Sequence, residues 1–432
     1  MRTTKKYSLT GLDLFKSKIL SWSQDYEDIV YLDSNNHADE YSSFDLLLAV
    51  DAFTSIKTDY TNGFLKLKEY YDTTQDWIFG YLSYDLKNDT ENLTSQNSDG
   101  LEFPDLYFFQ PKKVIYTKED ELIFSYLKMV DDEIEEDYKA IIDQTLEKPD
   151  QSNCGKVKIS LRITKDVYKE KINRMLAHIH RGDIYEANFC QEFYAENSCI
   201  DPTLTFKHLN HISQPPFSAF FKRNDNYVLS ASPERYIKKY GSKIISQPIK
   251  GTAKRSQSVE EDNQLRANLE KNPKERSENI MIVDLVRNDL SRLAIKGSVK
   301  VEELCEVYTF KQVHQMISTV TAEVDSNSSP VDIIKSTFPM GSMTGAPKVS
   351  AMKIIEELEE TKRGIYSGAI GYFTPDKDFD FNVVIRTILY NSTNKFISYS
   401  VGGAITAKSD PDQEYEECLI KAKAMREVLE QQ

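Results

Sequence analysis

The sequence predicts an α+β fold in a soluble molecule of two lobes. Strand-like and helix-like segments mix along the chain without the regular βαβ rhythm of a doubly wound parallel sheet. At 432 residues the chain is too long for one minimal core and fits two domains or one large two-lobed body. Its composition, 40% hydrophobic and 28% charged, is that of an ordinary globular protein, and such a length needs neither disulfide nor metal to stay folded.

Charge and cysteine usage exclude several classes. The net charge of −14 opposes binding to nucleic acid or to an anionic membrane, because phosphates would be repelled over most of the exterior. An anionic substrate then requires a pocket that is locally basic or lined by metal. The five cysteines are odd in number and lack CxxC spacing, so neither a disulfide framework nor a zinc knuckle is expected. No apolar stretch has the length of a signal peptide or a membrane span. The expectation is a reduced, cytoplasmic protein.

Two polar stretches punctuate the first half. Lys87–Gly100 reads as a surface loop and Glu147–Gly155 as a boundary between an N-terminal lobe, 1–150, and a catalytic domain, 156–432. Asp325–Pro330 reads as a turn ahead of a helix. Thr164–Arg181 carries Val167, Ile172, Met175, Leu176 and Ile179 at helical spacing and stops at Gly182. Tyr227–Ala231, Lys243–Ile249, Gly368–Phe373 and Asn382–Tyr390 read as strands. Asn279–Leu290 begins apolar and turns polar, Val349–Leu358 reads as a helix, and Pro411–Leu429 as a helix opening with acids that suit its positive end.

Three features carry chemistry. Glu275 with Glu278, and Glu414 with Glu417, are spaced i, i+3, so each pair shares a helix face; two such faces meeting would supply hard oxygen ligands suited to magnesium. On spacing alone, each pair reads more often as a solvated helix surface. The turn Gly341-Ser342-Met343-Thr344-Gly345-Ala346-Pro347-Lys348 leads into a helix and lets backbone amides approach an anion, although it lacks the P-loop order. Without other evidence a tight strand-to-helix turn serves equally well. Lys250, between a strand and Gly251, is either a surface charge or, if burial keeps it partly neutral, a nucleophile.

These segments resemble the chorismate-binding enzymes, the family of anthranilate synthase, aminodeoxychorismate synthase, isochorismate synthase and salicylate synthase. The matching runs are SASPER (230–235), PIKGT (248–252), KERSENIMIVDLVRNDLSR (274–292), GSMTGAPK (341–348), RGIYSGAIGYF (363–373), NVVIRT (382–387) and EYEECLIKAKA (414–424). The N-terminal third matches through Tyr31-Leu32-Asp33-Ser34 and Gly80-Tyr81-Leu82-Ser83-Tyr84. The resemblance implies a β-sandwich core with helices outside. It implies Mg2+ held by Glu278 and Glu417, supported by Glu275 and Glu414, against the ring carboxylate of chorismate. Arg386, Tyr366 and the backbone at Gly402 would grip the enolpyruvyl carboxylate, an arginine fork matching it in two contacts. Thr344, Gly345 and Lys421 would lie by the ring carboxylate, and His314 near the reacting ring, although a buried structural histidine is the commoner role for such a residue.

Lys250 resembles the lysine of the aminating branch, which attacks C2 of the ring while the C4 hydroxyl leaves, before ammonia adds at C4 and expels it. Glu234 would be the general acid and base, and the covalent adduct explains retention at C4. The branch implies 4-amino-4-deoxychorismate as product, on the way to 4-aminobenzoate and folate. It also implies that ammonia comes from a separate glutamine amidotransferase subunit or from free ammonium, because no cysteine here stands in a glutaminase-like turn. The lysine that activates water in isochorismate and salicylate synthases has its counterpart at Glu186, which disfavours water addition; glutamine is usual there in the aminating enzymes. Ala404 stands where a glycine is common. Ser34, facing Pro216 and Phe217, occupies the family's tryptophan-binding position. The rival readings are anthranilate synthase component I and a non-catalytic chorismate-binding regulatory paralogue; the intact set Glu234, Lys250, Glu278, Arg386 and Glu417 opposes the second.

Overall fold

The structure, a computed structural model, describes residues 1–8, 11–37, 40–145, 155–310 and 313–430. The boundary expected at 147–155 lies outside the described residues except for Gly155. Twenty strands form one hydrogen-bonded sheet system that folds on itself. Strands before and after that boundary pair directly: Asp28–Asp33 lies against Phe217–Arg223, and Ile78–Leu82 against Ala369–Phe373, both antiparallel.

Period-two alternation within these strands builds a sandwich. Val30, Phe79 and Tyr81 face an inner core with Phe221, Val228, Ile370 and Leu389. Their neighbours point the other way. Ile29 and Tyr31 pack beneath one helical layer that includes Lys165–Arg181, Lys348–Leu358 and Pro411–Glu430. Ile78 and Leu82 pack beneath a second layer, made by Gly63–Thr74, Pro273–Ser291 and Pro330–Thr337. This is the α+β sandwich with outer helices that the sequence and its family resemblance predict.

Local chemistry sets the element ends. Thr164 accepts a hydrogen bond from the Val167 amide and starts the helix read from periodicity, while Gly182, at φ 89°, closes it. The helix expected from Asn279 begins six residues earlier, because the Asn272 side chain accepts from the amides of Lys274 and Glu275. Lys243–Ile249 is two strands, Lys243–Gln247 and Ile249–Lys254, parted at Pro248, which has no amide to donate. Asn382–Tyr390 is also broken: Phe379–Val383 and Thr387–Asn391 flank Arg386, whose φ is +53°.

Two expectations are corrected. Lys87 does not open a solvated loop; it is buried, in an ion pair with Asp85 at 3.2 Å, and the residues to Thr90 form a helical turn. Cys199 is disulfide-bonded, whereas Cys190, Cys305 and Cys418 are free and buried.

Asn279 ties the Pro273–Ser291 helix to the strands beneath it. Its Nδ2 donates to the carbonyls of Lys250 and Met316, both at 3.3 Å, and its Oδ1 accepts from Ser318 Oγ. Asn279→Ala leaves these buried groups unpaired and should destabilise the protein by about 1–3 kcal/mol in urea unfolding. An unchanged midpoint would show that this anchor is not needed.

Candidate active site

The strand Ile249–Lys254 carries Lys250 under the N-terminal half of the Pro273–Ser291 helix. Its Nζ lies 4.0 Å from Glu278 Oε2, and its side chain is about 19% exposed. Burial alone would lower its pKa, but Glu186, then Glu278, Glu417 and Glu275, outweigh burial and hold it above the ordinary lysine value. The carboxylates thus favour the ammonium form of the amine.

The acidic pairs do share this site. Glu275 and Glu414 stand in the first turns of their helices, and Glu278 and Glu417 follow one turn on. Burial raises Glu278, and Glu275 and Glu417 raise it further against the pull of Lys250. Burial likewise raises Glu414, with Glu417 adding to the shift. Glu417 is lowered despite burial, because Lys421 lies 2.7 Å away. Among the described residues no group of three such side chains is drawn together tightly enough to hold a metal as it stands. The donor set nonetheless fits a hard cation: carboxylate oxygens converge with like-charge repulsion, and Glu278 Oε1 is buried without a hydrogen-bond partner.

Glu234 also feels the charge of Lys250. Burial pushes its carboxyl up to about 7, against a hydrogen bond from Ser342 and the charge of Lys250. A carboxyl balanced near neutrality can both give and take a proton. Ser342 comes from the glycine turn, which Lys348 clamps by donating to Asp289 Oδ2 at 2.6 Å and to the Pro339 carbonyl at 2.8 Å. Arg363 donates to the carbonyls of Met343 and Asn188, each at 2.7 Å, and fixes the turn against the strand Glu186–Ala195. Gly345 is required by contact: a Cβ there would lie 2.2 Å from the Glu186 carbonyl. The Thr344 hydroxyl turns back onto the Met340 and Gly341 carbonyls at 3.3 and 3.2 Å, so it shapes the turn.

A second anion-binding feature lies beside the carboxylates. The Arg386 carbonyl accepts from the Ala231 amide at 3.1 Å, while the Arg386 guanidinium has neither a hydrogen-bond nor an ion-pair partner among the described residues. Burial lowers its pKa, which Tyr366 and Glu417 partly offset. Tyr366 is buried, with its hydroxyl 3.6 Å from Cys190 Sγ. A Cβ on Gly402 would lie 2.5 Å from that sulfur, and the Gly402 carbonyl accepts from Lys421 Nζ at 3.2 Å. Ala404 is buried opposite Asn188.

His314 does not join this group. Its Nε2 lies 3.0 Å from Asp262 and its Nδ1 2.9 Å from Thr309 Oγ1, so both ring nitrogens are engaged at the other end of the hairpin, opposite Ala253. Ser34, Pro216 and Phe217 do come together, lining a separate cleft with Asp33, Phe44, Tyr372 and Arg235. Arg235 stacks over Phe217 and pairs with Asp380 at 3.1 Å, while its neighbour Glu234 faces the lysine. Arg363 and Asn279 were not singled out as members of the site from sequence, Ser342 was named only as part of the glycine turn, and Glu186 only as the counterpart of the water-activating lysine. Glu186 is 2% exposed, its Oε2 has no partner, and burial pushes its carboxyl up to about 7.

An ammonium among glutamates, a carboxyl near neutrality and an unpaired guanidinium define a site for a small molecule bearing carboxylates. The comparisons narrow that class: the profile of chorismate binding enzymes matches residues 27–427, and the chain belongs to that family. It is similar to aminodeoxychorismate synthase component 1 of Escherichia coli, at 41% identity over 62% of this chain, and spans 58% of that relative's length. The Bacillus subtilis protein of the same name is 33% identical, over 82% of this chain and 77% of its own. Anthranilate synthase component I of Streptococcus pneumoniae shares the fold with a TM-score of 0.77 at 24% identity, covering 90% of this chain and 93% of that one. Among the described residues no helix is long and apolar enough to cross a membrane.

Glu234 binds its proton more tightly in the folded protein than in the unfolded chain. That contribution to stability is whole below pH 4.5 and is lost as the pH rises through about 7. In metal-free buffer, Glu234→Gln should therefore flatten the fall in unfolding midpoint between these values; equal slopes would show an ionised carboxylate instead. His314→Gln should lower the melting temperature while leaving the rate of the site's reaction within about threefold. A turnover loss of a hundredfold or more at unchanged stability would return it to the reaction.

Proposed function

We propose that the chain aminates chorismate at C4 with ammonia to give 4-amino-4-deoxychorismate, as component I of an aminodeoxychorismate synthase. The observation that carries this reading is Lys250, whose Nζ stands among glutamates 4.0 Å from Glu278, with its charge reaching the near-neutral carboxyl of Glu234. A surface lysine would have neither neighbour.

The unpaired Arg386 guanidinium, with Tyr366 and the Gly402 backbone, would hold the enolpyruvyl carboxylate. Glu278 and Glu417, with Glu275 and Glu414, would hold Mg2+, which when bound neutralises the ring carboxylate and the surplus charge of the glutamates. Lys250, after passing its ammonium proton to solvent, attacks C2 as the C4–O bond breaks, and Glu234 gives the departing hydroxyl a proton. Ammonia then bonds to C4, the C2–Nζ bond breaks with its electron pair returning to the lysine, and Glu234 accepts a proton from the new amine. Two displacements through one covalent adduct leave the C4 configuration unchanged.

Relatives named as a first component support a partner, which we take to be a glutamine amidotransferase supplying ammonia. The product would feed 4-aminobenzoate and folate synthesis in the cytoplasm. The cleft at Ser34, Pro216 and Phe217 is the proposed seat of tryptophan.

Product analysis by mass, after incubation with chorismate, magnesium and ammonium, tests the reading. Wild type should yield an aminated product that keeps its pyruvyl group, and Lys250→Ala should lose at least about a thousandfold in rate. Anthranilate formed undiminished by Lys250→Ala would establish anthranilate synthase, a hydroxylated product formed without nitrogen an isochorismate synthase, and no turnover a non-catalytic binder.

A further inference from the structure

We propose that Asn279 is a positioning residue for the Lys250 amine, its carboxamide bracing a β-bulge that aims the lysine at Glu278. The inference deepens the amination reading and rests on it.

The lysine does not stand on a regular ladder. Ile249 pairs with Ile317 and Thr252 with Gln315, so two residues, Lys250 and Gly251, oppose the single residue Met316. Such a bulge bends its strand, leaves backbone groups without ladder partners and re-aims a side chain. Gly251 makes the bend at φ +99°, in the left-handed region that favours glycine. A Cβ on Gly251 would lie 3.1 Å from Glu275 Oε2 and 3.3 Å from Glu275 Cβ, so the Pro273–Ser291 helix rests directly on the bend.

Asn279 bridges the opening that the bulge leaves. Its Nδ2 donates to the carbonyls of Lys250 and Met316, one from each strand, both at 3.3 Å. Carbonyls only accept, so they must face the NH2 end of the carboxamide. Oδ1 is thereby turned to Ser318 Oγ, which donates to it. Ser318 is itself held, its Oγ accepting from the Cys305 amide at 2.9 Å. Asn279 is 1% exposed, so water does not compete for these groups. It also follows Glu278 directly on the helix, so one peptide unit joins the brace to the carboxylate 4.0 Å from the amine. Lysine and carboxylate are set against each other through Asn279, not through the sheet ladder alone. A reacting group displaced by about 1 Å loses on the order of a hundredfold in rate.

The test compares wild type, Asn279→Ala and Ser318→Ala as full chains with chorismate, ammonium and saturating magnesium. Rates are taken well below the unfolding midpoints and expressed per folded molecule, with the folded fraction read by circular dichroism. Asn279→Ala should lose about tenfold to a hundredfold in kcat, while KM for chorismate and for ammonium stays within about threefold of wild type. Ser318→Ala keeps both carbonyl contacts but frees the carboxamide to turn, and should lower the same parameter by less. A purely structural brace would lower the midpoint and leave kcat per folded molecule unchanged, which overturns the proposal. So does a loss confined to chorismate KM, or one that further magnesium restores, which would make Asn279 a support of the metal carboxylates only. If Asn279→Ala fails to fold, Ser318→Ala decides alone, and a kcat equal to wild type overturns the proposal. Failure of the amination reading is seen separately, in wild type, as the absence of any aminated product.

Discussion

The attraction between one ammonium and a ring of carboxylates organises this protein. Lys250 and its glutamates are brought from an interior strand and from two helices far apart in the chain. Without the lysine, Glu186 and Glu278 would lose the leading positive charge that offsets their burial. Without the carboxylates, burial would lower the pKa of the lysine. The arrangement is over-acidic on its own, and that excess is what a divalent cation would relieve.

Much of this was legible in the sequence, for reasons that differ by residue. Spacing of i, i+3 put each acidic pair on one face, but only the runs shared with a family of enzymes lifted those pairs above the solvated surface that a chain with 68 acids usually presents. The helix Lys165–Arg181 was readable from local signals alone, because its cap, its apolar stripe and its closing glycine all lie within it. The break at Arg386 was not, since Asn382–Tyr390 alternates like any strand; only the pairing of its two halves with different partners shows that the ladder changes there. The engagement of His314 was not legible, because nothing local announces Asp262, fifty-two residues away, as its partner. Glu186 was legible as a departure but not as a neighbour of Lys250, a relation that exists only across the folded sheet.

The two cavities are linked by a single peptide bond. Glu234 looks toward the lysine, and Arg235 caps the cleft of Ser34, Pro216 and Phe217, paired to Asp380. Alternation along an extended backbone requires this, since consecutive side chains take opposite sides. Whatever enters the second cleft meets the residue immediately following the proposed acid.

The pairing of Ile78–Leu82 with Ala369–Phe373 has a bearing on biogenesis. Those strands are separated by nearly three hundred positions, so a nascent chain on the ribosome has already produced Ile78–Leu82 long before its neighbour exists. Until then the hydrophobic edge of that strand stands open, a template for unwanted association with other chains. High contact order of this kind predisposes a polypeptide to slow maturation and to dependence on chaperones, a cost inherent in weaving the first third of the molecule into the rest.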